Sequence, residues 1–216
     1  CASRCRACAL WFAGVRKVPG DLVPGSGWVA PGTALSPPFP GTTGCPVKVS
    51  SETGNRAIVS QRSLMGNSFE EVLGTESGKL SDHYYWTWYD QKSPGYTNWV
   101  LVANPSETET VHATISFRNQ ADGAAVNAES DIPPGQNWTR TFPGKMGGPV
   151  EVEAYLAGVG TSWPTDKRNV IAPQRVLSAY CAALHEVPGL PAAAPPDASM
   201  RARDRRQTRG NPRPGP

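Results

Sequence analysis

The chain has 216 residues and a formal charge of +3, and that charge sits at its ends. Residues 1–27 carry four basic and one acidic side chain and residues 191–216 carry six and two, which leaves 11 basic against 15 acidic, a net of −4, for 28–190. A net acidic interior excludes an extended Lys/Arg footprint, so no nucleic-acid partner is expected.

Gly and Pro number 22 each, a composition that suits short strands joined by turns. No apolar run reaches the roughly 18 residues of a spanning helix, so no membrane insertion is expected in this segment. In residues 1–27, Cys1, Cys5 and Cys8 stand in C-x3-C-x2-C spacing, which in radical enzymes holds an iron–sulfur cluster. Those enzymes need a βα barrel that does not follow here, and zinc lacks a fourth Cys or His nearby. The segment therefore reads as a disordered or out-of-register end, and no metal or cofactor is expected. The Pro/Arg-rich tail 191–216, with its MRARDRRQTRGNPRPGP, reads as disordered for the same reason.

Between the ends the chain resembles itself. RAIVSQRSL at 56–64 is echoed by RNVIAPQRVL at 168–177, so that a shift of 113 places Ile58 on Ile171, Gln61 on Gln174, Arg62 on Arg175 and Leu64 on Leu177. FPGTTGCPVKV at 39–49 is echoed 103 residues later by FPGKMGGPVEV, which places an insertion of ten residues within 154–166. Glu71-Val72-x-Gly74 likewise answers Glu186-Val187-x-Gly189, 115 residues on. Two spans in one register predict a repeat architecture. Residues 28–79 are expected to be a partial unit that lacks its front half, and 80–190 a complete one.

Within the complete unit, His83–Tyr89 (HYYWTWY) reads as a strand, followed by a turn at 92–96 and a strand over 98–103. Residues 110–119 alternate, so Val111, Ala113, Ile115 and Phe117 are expected in a core. A weaker strand over 123–130 and strands over 138–142, 149–156 and 169–177 complete the set. Short strands at this spacing, separated by Gly/Pro/Asn turns, predict an all-β fold, a Greek-key or immunoglobulin-like β-sandwich.

The series WYD, SPG, WVLVANPS, IPPG, FPGxMxGPVEVEA and NVIAxQRVL resembles tandem β-rich modules of large bacterial surface and secreted proteins, in which an I-A-S-Q-R strand ends each unit. The resemblance covers roughly 28–190, with Pro173 standing where Ser is usual. It implies an extracellular or cell-surface structural or adhesive unit whose partners are neighbouring modules and cell-wall or extracellular glycan.

No phosphate loop, HExxH or G-x-S-x-G occurs, and His83, His112 and His185 read as surface residues. Asp82 with Asp90, or Glu151 with Glu153, are the nearest things to an acid/base pair. Lys48 replaces Glu151 in the first copy, so no catalytic residue and no enzyme activity is expected. The sharper candidate is a ligand-binding platform of Tyr84, Trp86, Trp88, Tyr96 and Trp99, on which sugar rings could stack; the competing expectation is that half these rings fill the core. It supports an alternative function, a carbohydrate-binding module appended to an enzyme outside this chain. Cys45 and Cys181 occupy non-equivalent places, and a disulfide between them stays open. Lastly, Arg62 and Arg175 lie on the strand face of apolar neighbours. The acid that recurs after both copies is Glu71 or Glu186, so the pairs Arg62–Glu71 and Arg175–Glu186, beside Gln61 and Gln174, are expected to form the structural motif of the repeat.

Overall fold

The computed structural model describes residues 8–16, 22–30, 32–36, 46–51, 57–65, 68–158, 166–179 and 183–192. These residues form strands β1 (Cys8–Arg16), β2 (Leu22–Val29), β3 (Lys48–Ser51), β4 (Ser60–Met65), β5 (Ser68–Leu73), β6 (His83–Trp86), β7 (Tyr89–Asp90) and β8 (Tyr96–Ala103). They continue as β9 (Val111–Arg118), β10 (Ala125–Ile132), β11 (Asn137–Arg140), β12 (Met146–Gly147), β13 (Val150–Leu156), β14 (Pro173–Ser178), β15 (Ala183–Pro188) and β16 (Leu190–Pro191). Among the described residues there is no α-helix, only a 3-10 turn at Ser77–Lys79. The protein is an all-β sandwich.

Two sheets build it, one in the order β10-β9-β13-β6-β16 and the other β11-β8-β14-β15. The chain crosses between them from β6 to β8 and again after β8, β10, β11, β13 and β15, so most neighbours in sequence close the core from opposite sides. β9 buries Val111, Ala113, Ile115 and Phe117, the set its alternation predicts. Val150, Val152 and Ala154 of β13 and Tyr84 and Trp86 of β6 join them, and Val100 and Val102 of β8 complete one core with Tyr89 and Phe142. Trp138 of β11 packs against its edge.

The Arg168–Leu177 stretch is not one strand. Val170 bridges Ser81 and Ile171 bridges Ala103, so the segment ties both sheets before β14 begins at Pro173. Proline is admissible there because the first residue of a strand can lack an N–H donor. Arg168 anchors the entry with two bonds to Glu109, Nε to Oε2 at 2.9 Å and Nη2 to Oε1 at 3.1 Å. The buried Asn104 side chain is hydrogen-bonded, as burial demands. Asn104, in the Asn-Pro turn, donates to the Glu109 and Ile132 carbonyls at 2.7 and 2.9 Å, and its Oδ1 accepts from the Ser106 N–H at 3.0 Å.

Before residue 80 the structure departs from expectation. Residues 1–27, excluded from the fold on composition, contribute β1 and most of β2, which pair antiparallel, and β1 also pairs with β3. One feature outweighs the Cys/Arg composition: LWF at 10–12 is rich in strand-forming side chains. The partial unit thus has a pairing partner for β3 that the sequence reading did not supply. Residues 159–165 of the 154–166 span expected to hold the insertion, Cys45, Cys181 and the tail from 193 lie outside the described residues.

Candidate functional site

The aromatic strand is interrupted where alternation would carry it through. β6 ends at Trp86, the chain leaves the ladder at Thr87–Trp88, and β7 pairs separately with β12. The Trp88 carbonyl is taken instead by the Gln174 side chain, Nε2 to O at 3.0 Å. A β-carbon on Gly148 would lie 2.4 Å from the Thr87 carbonyl oxygen, so the backbones touch at this step. The slip exchanges faces. Tyr84 (5% exposed), Trp86 (4%) and Tyr89 (0%) enter the core, while Trp88 (43%) and Tyr96 (41%) face outward and Trp99 is half-buried. The platform of Tyr84, Trp86 and Trp88 is therefore not formed, because both faces of HYYWTWY carry aromatics and the sequence cannot show which one turns inward.

The buried rings are held at their polar ends. Tyr84 donates its hydroxyl to the Val170 carbonyl at 2.7 Å, and Trp86 donates Nε1–H to the Val187 carbonyl at 3.2 Å. Tyr89 accepts the Phe142 N–H at 2.7 Å and lies 3.1 Å from the Asn98 carbonyl. Burial pushes its hydroxyl up to about 12, against a smaller opposing effect of the Phe142 hydrogen bond.

The two Arg–Glu pairs are in contact. Arg175 Nη2 lies 2.9 Å from Glu186 Oε2, and Arg62 Nη2 lies 2.8 Å from Glu71 Oε2. Both pairs are directly cross-strand, and the rungs beside them also correspond: Gln61 faces Val72 and Gln174 faces Val187. Further along, the Gly74 N–H donates to Val59 O at 2.8 Å and the Gly189 N–H donates to Ala172 O at 3.0 Å. The surroundings differ. Gln174 is buried and reaches Asn98 Oδ1 at 3.3 Å, whereas Gln61 is exposed. The hairpins also meet, since Glu70 accepts the Glu186 backbone N–H.

The outer face of the five-stranded sheet carries a cluster that the sequence reading did not assemble. Pairing aligns Glu129, Thr114, Glu153 and His83 across β10, β9, β13 and β6, and the next rung aligns Asn127, Ser116, Glu151 and Tyr85. His83 is only 18% exposed at its side chain and places Nε2 2.6 Å from Glu151 Oε1, so it is not the surface histidine expected. Tyr85 donates to the same oxygen at 2.9 Å, a bond that raises its hydroxyl pKa. The Tyr155 hydroxyl is raised by burial first and then by the neighbouring Glu153 carboxylate. His112 lies nearby, with Nδ1 2.7 Å from Asp131 Oδ1, and His185 is exposed. An open depression of about 530 Å³ between β9, β10 and β13 is lined by Thr114, Ser116, Asn127, Glu129 and Glu153. The Glu151–Glu153 spacing of two was the available signal; that His83 joins them depends on β6 pairing with β13.

Comparison with known proteins is negative throughout. No family model, no curated protein and no solved structure matches the chain.

Proposed function

We propose that this chain is a non-enzymatic structural or adhesive repeat unit of an extracellular bacterial protein. The observation that carries the reading is the shared bonding of the two QR/EV hairpins, down to the Gly N–H that closes each. Equivalent local bonds in two stretches of one chain are what duplicated modules would retain, and the contact between β5 and β15 gives the units a route to dock side by side. The immunoglobulin-like topology and the bacterial surface setting rest on the sequence resemblance. Neighbouring modules and cell-wall or extracellular glycan are the partners this reading implies.

A carbohydrate-binding function is the second reading, favoured by the outward-facing Trp88 and Tyr96. Retention of the full chain on immobilised bacterial polysaccharides, wild type beside Trp88→Ala, separates the two. A structural unit gives no saturable retention, and an adhesive unit gives retention indifferent to Trp88→Ala. Loss of retention in the folded variant selects the carbohydrate-binding reading, and turnover of a presented polysaccharide overturns both.

A further inference from the structure

We propose that His83, Glu151 and Glu153 form a binding site for one divalent transition-metal ion, of which Zn²⁺ is the test case. Each of the three offers a donor atom, all of these lie within 4.8 Å of one another, and all three residues are half-buried. No other such group of three His, Cys, Asp or Glu donors occurs among the described residues. The sequence alone gave no reason to expect a metal here.

The arrangement follows from the sheet. Glu151 and Glu153 project from one face of β13 because strand side chains alternate. His83 is the residue paired with Glu153 and is diagonal to Glu151, so the imidazole reaches between two carboxylates. The 2.6 Å contact of His83 Nε2 with Glu151 Oε1 shows that the donors already converge. Ligand bonds to zinc of about 2.0–2.2 Å require neighbouring donors about 3–3.5 Å apart, a change that side-chain torsions supply without moving the strands.

Charge and the surrounding shell point the same way. Across β6, β9, β10 and β13 the one Lys or Arg is Arg118, at the far end of β9, and its guanidinium donates to the Gly123 carbonyl at 3.2 Å. Off these strands, Lys167 is bound to Asp82 at 2.8 Å. Two carboxylates thus share a half-buried site with one imidazole, and a divalent ion would neutralise both. The Tyr85 hydroxyl already bonds to Glu151 at 2.9 Å, the outer-shell arrangement that orients a metal-binding carboxylate. An imidazole nitrogen among the donors selects a transition ion over Ca²⁺ or Mg²⁺, which take oxygen ligands. Three protein donors leave a coordination position open, and Glu153 also lines the solvent-filled depression beside it.

The test uses the metal-free full chain with its thiols alkylated, because Cys1, Cys5 and Cys8 would otherwise compete for the ion. Titration calorimetry with ZnCl2 should give one ion per chain. His83→Gln and Glu153→Gln should each weaken binding by at least about tenfold, while His112→Gln leaves it unchanged. In the wild-type chain, nuclear magnetic resonance should show the His83 imidazole signals shifting at one equivalent while those of His185 do not, a readout that stands even if His83→Gln fails to fold. Absence of saturable Zn²⁺ binding, binding of equal strength in the folded His83 and Glu153 variants, or unshifted His83 signals overturns the proposal.

Discussion

Arg175 donates to Glu186 across β14 and β15 with 33% and 18% of the two side chains exposed, whereas the matching Arg62–Glu71 pair is 61% and 41% exposed. The same contact therefore sits in two dielectric settings. Screening leaves an exposed pair about 0.2–1 kcal/mol at most, and partial burial raises the value of a charge-assisted bond. A double-mutant cycle of Arg175→Met with Glu186→Gln is expected to show coupling of about 1 kcal/mol by urea unfolding. The same cycle on Arg62 and Glu71 should fall nearer zero. Equal coupling at the two sites would remove the role assigned to burial.

The closing glycines make a second paired comparison. A β-carbon at Gly189 would lie 2.6 Å from the Trp86 ring and 2.8 Å from the Ala172 carbonyl, while one at Gly74 would lie 3.4 Å from Val59 O. Gly189→Ala should therefore destabilise the sandwich by about 1–3 kcal/mol through overpacking. Gly74→Ala should change the melting temperature little. Similar effects of the two substitutions would contradict the packing described around Trp86.

Trp86 and Trp88 differ by two positions and by an order of magnitude in exposure. Trp86→Ala is expected to cost about 3–5 kcal/mol, as loss of a core aromatic does, and Trp88→Ala under about 1 kcal/mol. Chemical denaturation of the two variants checks this directly. The reverse order would mean that the chain does not slip at Thr87.

Alkaline stability should track Tyr89. Its folded-state value is raised to about 12 by burial, above the unfolded value of about 10. A raised folded value means that the contribution is fully present below pH 10 and is lost as pH rises toward 12. Tyr84 is shifted the same way by its own burial. Tyrosinate absorbance during a pH jump should thus appear together with loss of β circular dichroism. Tyr89→Phe should blunt the pH dependence and, by leaving the Phe142 N–H with only its 3.2 Å contact to Gln91 Oε1, lower stability by about 0.5–1.5 kcal/mol at neutral pH.

Both sheets of the sandwich lie within 83–191, with Leu80–Asp82 contributing the Ser81 bridge to Val170. A fragment of residues 80–192 is expected to unfold in one cooperative transition with β-type circular dichroism. Broad or multiphasic melting of that fragment would show that the β5 contact with β15 is needed to complete it.

Local pattern alone determined whatever depends on a residue's near neighbours along a strand. The alternation at 111–118 named four core residues of β9, the turn residues delimited strands, and the echo of QR and EV named two ion pairs on equivalent rungs. The sequence could not choose a face for HYYWTWY, since both its alternate rows are aromatic; in the fold the ladder breaks after Trp86, where Gln174, 86 residues from Trp88, takes the Trp88 carbonyl. Composition likewise hid β1 and β2, and β3, the second partner of β1, follows only after a long connection. The His83, Glu151 and Glu153 cluster was invisible for the same reason. Periodicity places two carboxylates on one face, but only the pairing of β6 with β13 brings an imidazole 68 residues from Glu151 within 2.6 Å of that carboxylate.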